Sequence, residues 1–267
     1  MKKKRKMIIF LIMLIFLSIF IFSLIKIIKW KIDSNKTNKE ITSIQKNIVV
    51  EEIKDSEETE IIETTEEIEE ENPYWDYINM NMINVNFDEL KKINSDVVGW
   101  LQVNGTNINY PFVQAEDNKY YLTHSFNKSY NEAGWVFLDY RNNNNKNTII
   151  YAHGRTDKTM FGTLKNLLNN EWLSNTNNYV IKMSTESENT LWQIFSVYHI
   201  PTTSDYLSID FNNETEYQEF LEMIKNRSSY NFNTTVSTND NILTLSTCYN
   251  DSEKMVVHAK LIKKESK

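Results

Sequence analysis

Met7 to Ile25 form a run of nineteen residues in which Ser18 and Ser23 are the only polar side chains. A helix of that length and composition reaches across the hydrocarbon core of a bilayer, so the run divides the chain before any other feature is considered. Met1-Lys-Lys-Lys-Arg-Lys6 precedes it. Lys26, Ile27, Ile28, Lys29 and Trp30 follow it without the small-x-small pattern of a cleavage site, so it reads as a retained anchor and not as a removed leader. Trp30 suits a membrane–water interface. Charge does not orient the span, because five basic residues stand before it and five more lie between Lys26 and Lys39. The expected organisation is a basic terminus over 1–6, a transmembrane anchor over 7–28, a tether over 29–72 and a folded domain over 73–267.

The tether is expected to be flexible. From Glu51 to Glu71 twelve carboxylates face Lys54 alone, and although Ile53, Ile61, Ile62 and Ile68 recur there, self-repulsion and scarce apolar surface favour disorder. The net charge of -7 therefore says little about the folded part. No basic footprint for nucleic acid and no metal-ligand spacing is present, and the acidic stretch lacks the spacing of a calcium loop, so neither metal nor cofactor is expected.

The 195 residues from Pro73 onward suffice for one domain with a full core. The chain has one cysteine, which excludes an intrachain disulfide. Asn86-Phe-Asp-Glu89 has capping-box character ahead of a short helix with Phe87, Leu90 and Ile93 at helical spacing. Val97 to Val103, Asn104-Gly105 and Thr106 to Val113 predict a hairpin with a two-residue turn. Further strands are predicted over Gly134–Leu138, Thr148–His153, Tyr179–Met183, Leu191–Ile200, Ile242–Cys248 and Met255–Ile262, eight in all. Two more helices are predicted, near Phe161–Leu168 and over Asn213–Lys225 with Tyr217, Phe220, Leu221 and Ile224 on one face. This pattern is mainly β, a sandwich or a closed barrel. The forty-residue connection from Pro201 to Asp240 is long for such a domain, and long excursions with their own helix often form a binding wall.

Cys248 ends the apolar strand Ile242 to Leu245, and the period-2 rule puts Thr244, Ser246 and Cys248 on one pleat face. A thiol at the end of a polar row can meet a substrate. Cysteine catalysis also needs an imidazole or another base and a donor for the developing oxyanion. His153 closes Ile149-Ile-Tyr-Ala-His153 at a strand-to-loop edge, as Cys248 does, whereas His258 alternates within a strand and His124 and His199 have no favouring pattern. Two cations compete for the third role: Lys254, across a short turn from Cys248, and Arg155, two residues beyond His153.

Asp96-Val-Val-Gly-Trp-Leu101, Gly105-Thr-Asn-Ile-Asn-Tyr-Pro111, Asp117-Asn118 with Tyr121-Leu122, Gly134 with Phe137-Leu-Asp-Tyr140, Ile150-Tyr-Ala-His153, Met160-Phe-Gly162, and Thr244-Leu-Ser-Thr-Cys248 with Val256-Val-His-Ala-Lys-Leu261 occur in this order. Together they resemble the class B sortases, cell-surface cysteine transpeptidases of Gram-positive bacteria, over about Pro73 to Lys263. The resemblance implies a closed eight-stranded β-barrel with few helices behind one transmembrane helix, the domain facing the cell wall. It implies a thioester on Cys248, formed by attack after a threonine of a secreted protein's sorting signal and resolved by a peptidoglycan or protein amine. His153 serves the leaving and entering amines. Lys254 stands where the family has an arginine, and keeps the charge without the planar fork. Asn118 and Leu122 hold positions that line the family's groove, and Ser246 joins them as a substrate-binding residue. Two other outcomes follow from the same residues: a surface protein that binds sorting signals without turning them over, and a cysteine hydrolase that releases product to water.

Overall fold

In the computed structural model, which describes residues 2–62, 77–250 and 252–267, eight strands close into a barrel. They are β4 (Val97–Val103), β5 (Asn109–Gln114), β6 (Phe137–Leu138), β7 (Asn147–Tyr151), β8 (Val180–Thr185), β9 (Glu188–Pro201), β10 (Ile242–Cys248) and β11 (Glu253–Ser266). Their order is β10-β7-β6-β5-β4-β8-β9-β11, and pairing of β10 with β11 completes the circuit. The β10–β7 and β5–β6 pairs are parallel, the others antiparallel. Trp100, Trp135, Tyr121, Phe126 and Phe161 are among the fully buried large side chains, the aromatic mass a disulfide-free domain uses to fill a core.

β9 is buried on both faces from Asn189 to Tyr198. One face looks into the barrel; the other lies under the long connection to β10, where α4 (Glu214–Asn226) presents Tyr217, Phe220, Leu221 and Ile224 to Phe195, Tyr198, Ile242 and Val256. Asn213 caps that helix by accepting from the Glu216 backbone N–H at 2.9 Å. Each of these four side chains, fully withdrawn from water, stabilises the cover by about 1.5–3 kcal/mol. Two short helices, α2 (Asp88–Ile93) and α3 (Asn170–Leu173), sit at the barrel's margins.

The structure corrects three local expectations. The β4–β5 link is not a two-residue turn: Gln102 pairs with Asn109, and of Asn104 and Gly105 only the glycine has a positive φ, +69°. A tight primed turn needs a positive φ at both. Instead the Asn104 backbone and side chain are drawn to Val180 and Asn177. Asn86 does not cap α2 but accepts from the Asp88 N–H, leaving Phe87 at the cap position. Leu164–Leu168 is a 3-10 turn.

The stretch 29–62, read from its charge as a flexible spacer, is docked on the barrel. Helix α1 runs unbroken from Lys2 to Asn47. Its first part contains a window long and apolar enough to cross a membrane, with Met7 to Ile28 exposed on all sides. In its second part Ser34, Thr37, Ile41 and Ile44 are buried, and Ile48, just beyond its end, continues the spacing of three and four residues that lines one helix face. Then β1 (Val50–Ile53) pairs with β3 (Met82–Val85), and β2 (Thr59–Ile61) adds to the outer part of β11. The carboxylates are compensated by lysines of the barrel: Glu52 meets Lys182 at 2.9 Å, Asp55 meets the fully buried Lys263 at 2.5 Å, and Glu60 meets Lys264 at 3.0 Å. Self-repulsion within the segment is thus outweighed by attraction to partners more than a hundred residues away. The acidic residues 63–72 and the expected boundary at residue 73 lie outside the described residues.

Candidate active site

Strands β7 and β10 run parallel with Tyr151 opposite Ser246. Two residues further on, His153 and Cys248 therefore leave the sheet at the same level. Gly154 makes this convergence possible, because a Cβ there would run into the Cys248 carbonyl oxygen and approach Thr247 Oγ1 to 2.9 Å. The His153 ring is fixed from the other side. Gly134, in the left-handed region at φ +62°, leaves it room, with Cδ2 only 3.0 Å from where a Cβ would stand. Nε2 donates to the Leu122 carbonyl oxygen at 2.8 Å. A carbonyl only accepts, so Nε2 carries hydrogen and Nδ1 is the nitrogen left for proton transfer.

The antiparallel β10–β11 register sets Lys254 directly opposite Cys248, and Lys254 Nζ lies 3.2 Å from Sγ. The connecting turn is held by Tyr249 N–H on the Glu253 carbonyl at 2.9 Å and by Asn250 Oδ1, which accepts from the Ser252 and Glu253 N–H groups at 2.9 Å each. Cys248 itself is exposed. An ammonium against an exposed sulfur puts a positive charge beside the place where a carbonyl brought to that sulfur would lie.

Arg155 does not reach the thiol. Its NH2 donates to Asp157 Oδ2 at 2.7 Å and to Ser34 Oγ at 3.2 Å, its Nε donates to Thr159 Oγ1 at 3.0 Å, and the guanidinium lies over the Trp30 ring at 5.8 Å. Burial pushes the Asp157 carboxyl up, but hydrogen bonds from Arg155, Ser34 and Thr159 outweigh it and hold the group well below the usual carboxylate range.

Residues 101–262 match the protein family described as the sortase domain. This chain belongs to the sortase family. It is 38% identical to Sortase B of Staphylococcus aureus over 184 residues, covering 66% of this chain and 75% of that protein. It is 40% identical to Sortase B of Listeria monocytogenes over 187 residues, covering 66% and 74%. The solved Staphylococcus aureus sortase B–substrate complex superposes with a TM-score of 0.62 at 38% identity, covering 66% of this chain and 84% of that one. The sortase is accordingly a cysteine transpeptidase of the class B kind.

Within this sortase the remaining sequence-picked residues fall at different distances from the chemistry. Leu122 lends its carbonyl to His153. Ser246 is buried, its Oγ 3.0 Å from the Tyr206 hydroxyl. Asn118 has no contact with the thiol: its Nδ2 donates to Asp139 Oδ2 at 3.0 Å and its Oδ1 accepts from the Tyr140 N–H at 3.0 Å. Asp139 also accepts from the Tyr151 hydroxyl at 2.9 Å, so Asn118 acts on the strand that carries His153. His258, read as an ordinary strand residue, is buried between Thr244 Oγ1 on Nδ1 and the Tyr198 hydroxyl on Nε2, both at 2.9 Å. Burial, with the Arg227 charge, pulls its pKa down to about 3, so it is neutral at working pH. No group of His, Cys, Asp and Glu among the described residues could hold a metal.

Two residues escaped the sequence reading. Tyr206 arrives from the long connection to touch Ser246, two residues from the nucleophile; burial above all, and then the neighbouring Asp205 and Cys248 charges, keep its phenol protonated. Nothing in its local spacing marks it. Thr247 Oγ1 is buried with no hydrogen-bond partner among the described residues. Its position beside Cys248 is the only signal the sequence offers.

Proposed function

We propose that this sortase cleaves a C-terminal sorting signal of secreted proteins after a threonine and transfers the acyl group to a peptidoglycan or protein amine. The observation that carries the reading is the Cys248 Sγ–Lys254 Nζ separation of 3.2 Å beside a strand-end histidine. Cys248 thiolate attacks the threonine carbonyl carbon. Lys254 Nζ supports the charge that develops on the carbonyl oxygen. His153, through Nδ1, protonates the leaving amine, and the C–N bond breaks to leave a thioester. The acceptor amine then attacks, His153 takes its proton, and the C–S bond breaks. Leu122 and Ser246 border the cleft, Asn118 steadies its wall, and the 202–241 connection forms the side against which the peptide lies. Met7–Ile28 anchors the protein with its amino terminus in the cytoplasm and the barrel outside, facing the wall.

The test is intact mass of the full chain in detergent after incubation with a panel of acetylated, threonine-containing peptides, beside Cys248→Ala. An adduct on the wild type that disappears when an amine is added supports transpeptidation. Product released without amine at an undiminished rate would make the enzyme a hydrolase. Peptide binding with no adduct would make it a binding protein.

A further inference from the structure

We propose that Lys254 is itself an acyl acceptor: in the absence of an external amine the thioester on Cys248 passes to Lys254 Nζ, giving an isopeptide-modified enzyme. The inference rests on the thioester reading above and goes beyond it. Its warrant is the pairing already described, a primary amine held by direct strand register 3.2 Å from Sγ. The acyl carbon of the intermediate is one bond from that sulfur. Nζ is thus a near neighbour of that carbon, and the amine is already at the site with no second body to recruit. An arginine at this place offers the same positive charge but no amine that loses a proton in a protein. The exchange of arginine for lysine thus adds a nucleophile where the site otherwise has only a charge.

The step balances without oxidant or reductant. Lys254 gives one proton to water, and its lone pair attacks the thioester carbonyl carbon. The C–N bond forms as the C–S bond breaks, and a second N–H proton passes to the departing sulfur. The products are a secondary amide on Lys254 and a free Cys248 thiol. Glu253, the neighbour on β11, does not hold the amine elsewhere, since its carboxylate accepts from Asn250 and pairs with His199.

The experiment uses the full chain in detergent, acylated with an N-acetyl-threonine aryl thioester, which loads a reactive cysteine by exchange and needs no sorting motif. Mass is followed with time and after hydroxylamine, which cleaves thioesters and leaves amides. Wild type is expected to pass from a hydroxylamine-labile to a hydroxylamine-stable adduct that peptide mapping places on Lys254. Lys254→Arg is expected to stop at the labile adduct, with a lifetime longer by at least about tenfold. Cys248→Ala is expected to show no modified Lys254. A labile adduct that never becomes stable on wild type overturns the proposal while leaving the thioester reading intact. Stable acylation of Lys254 in Cys248→Ala also overturns it, since the donor would then have reacted directly. Absence of any adduct, on Cys248 or on Lys254, overturns both.

Discussion

Lys254 and Cys248 face each other because a four-residue connection joins two strands whose register is fixed elsewhere, by Thr244 on His258 and Leu245 on Val257. With Lys254 in its proposed role of supporting the oxyanion, Lys254→Ala is expected to lower kcat/KM by about 100-fold to 1000-fold, read from peptide turnover with melting unchanged. Gly154 makes the second residue-scale prediction. A methyl group in Gly154→Ala collides with the Cys248 carbonyl, and a displacement of about 1 Å between His153 and Cys248 costs about 100-fold in turnover, measured beside a far-ultraviolet spectrum that stays native. Cys248, His153 and the position of Lys254 were legible as strand ends and as a short-turn partner. What was not legible was the choice between Lys254 and Arg155, because the fate of Arg155 is decided by Asp157, Ser34 and Trp30, two of them in a segment read as a spacer.

At the scale of elements, the strands could be read because each is an apolar run closed by polar residues, and the buried face of α4 because its spacing is helical. The hairpin turn could not, since its geometry depends on what Asn104 bonds across the barrel. The β9–β10–β11 sheet carries a pH response in His258. Its pKa is about 3 in the native state against an ordinary value near 6.5, so above pH 6.5 both states are neutral and the residue contributes no pH dependence. As pH falls from 6.5 towards 3, the unfolded chain gains a proton that the native sheet refuses, and stability declines by about 1.4 kcal/mol per unit. At pH 5 that loss is about 2 kcal/mol relative to pH 7. Denaturant titrations of wild type and His258→Gln at both pH values are expected to show a smaller difference for the variant. Equal differences would mean that the acid response lies in other groups.

For the molecule as a whole, the decisive fact is that the apolar helix and the barrel are not separate bodies joined by a loose chain. The helix that carries the apolar run continues without a break into the face that buries Ile41 and Ile44, with Ile48 just past its end, and β2 then occupies an edge of β11 that would otherwise present unpaired backbone groups. The charge pattern that suggested disorder over 29–62 is what the barrel's lysines select. Two truncations separate these roles. A chain beginning at residue 32 loses the apolar span and keeps the docked face, so its melting is expected to match that of the full chain in detergent. A chain beginning at residue 63 uncovers three isoleucine sites, each worth about 1.5–3 kcal/mol, and leaves the buried Lys263 ammonium with the Ile78 and Met80 carbonyls but without its Asp55 carboxylate, which is destabilising. That chain is expected to melt well below the first and to associate through the bared edge of β11, seen as a rise in light scattering on concentration. Matching melting curves for the two truncations would show that the segment from 32 to 62 only lies on the barrel. A lower curve for the second makes it part of the fold, so that the apolar helix is tied to the barrel by a docked segment instead of by a disordered chain.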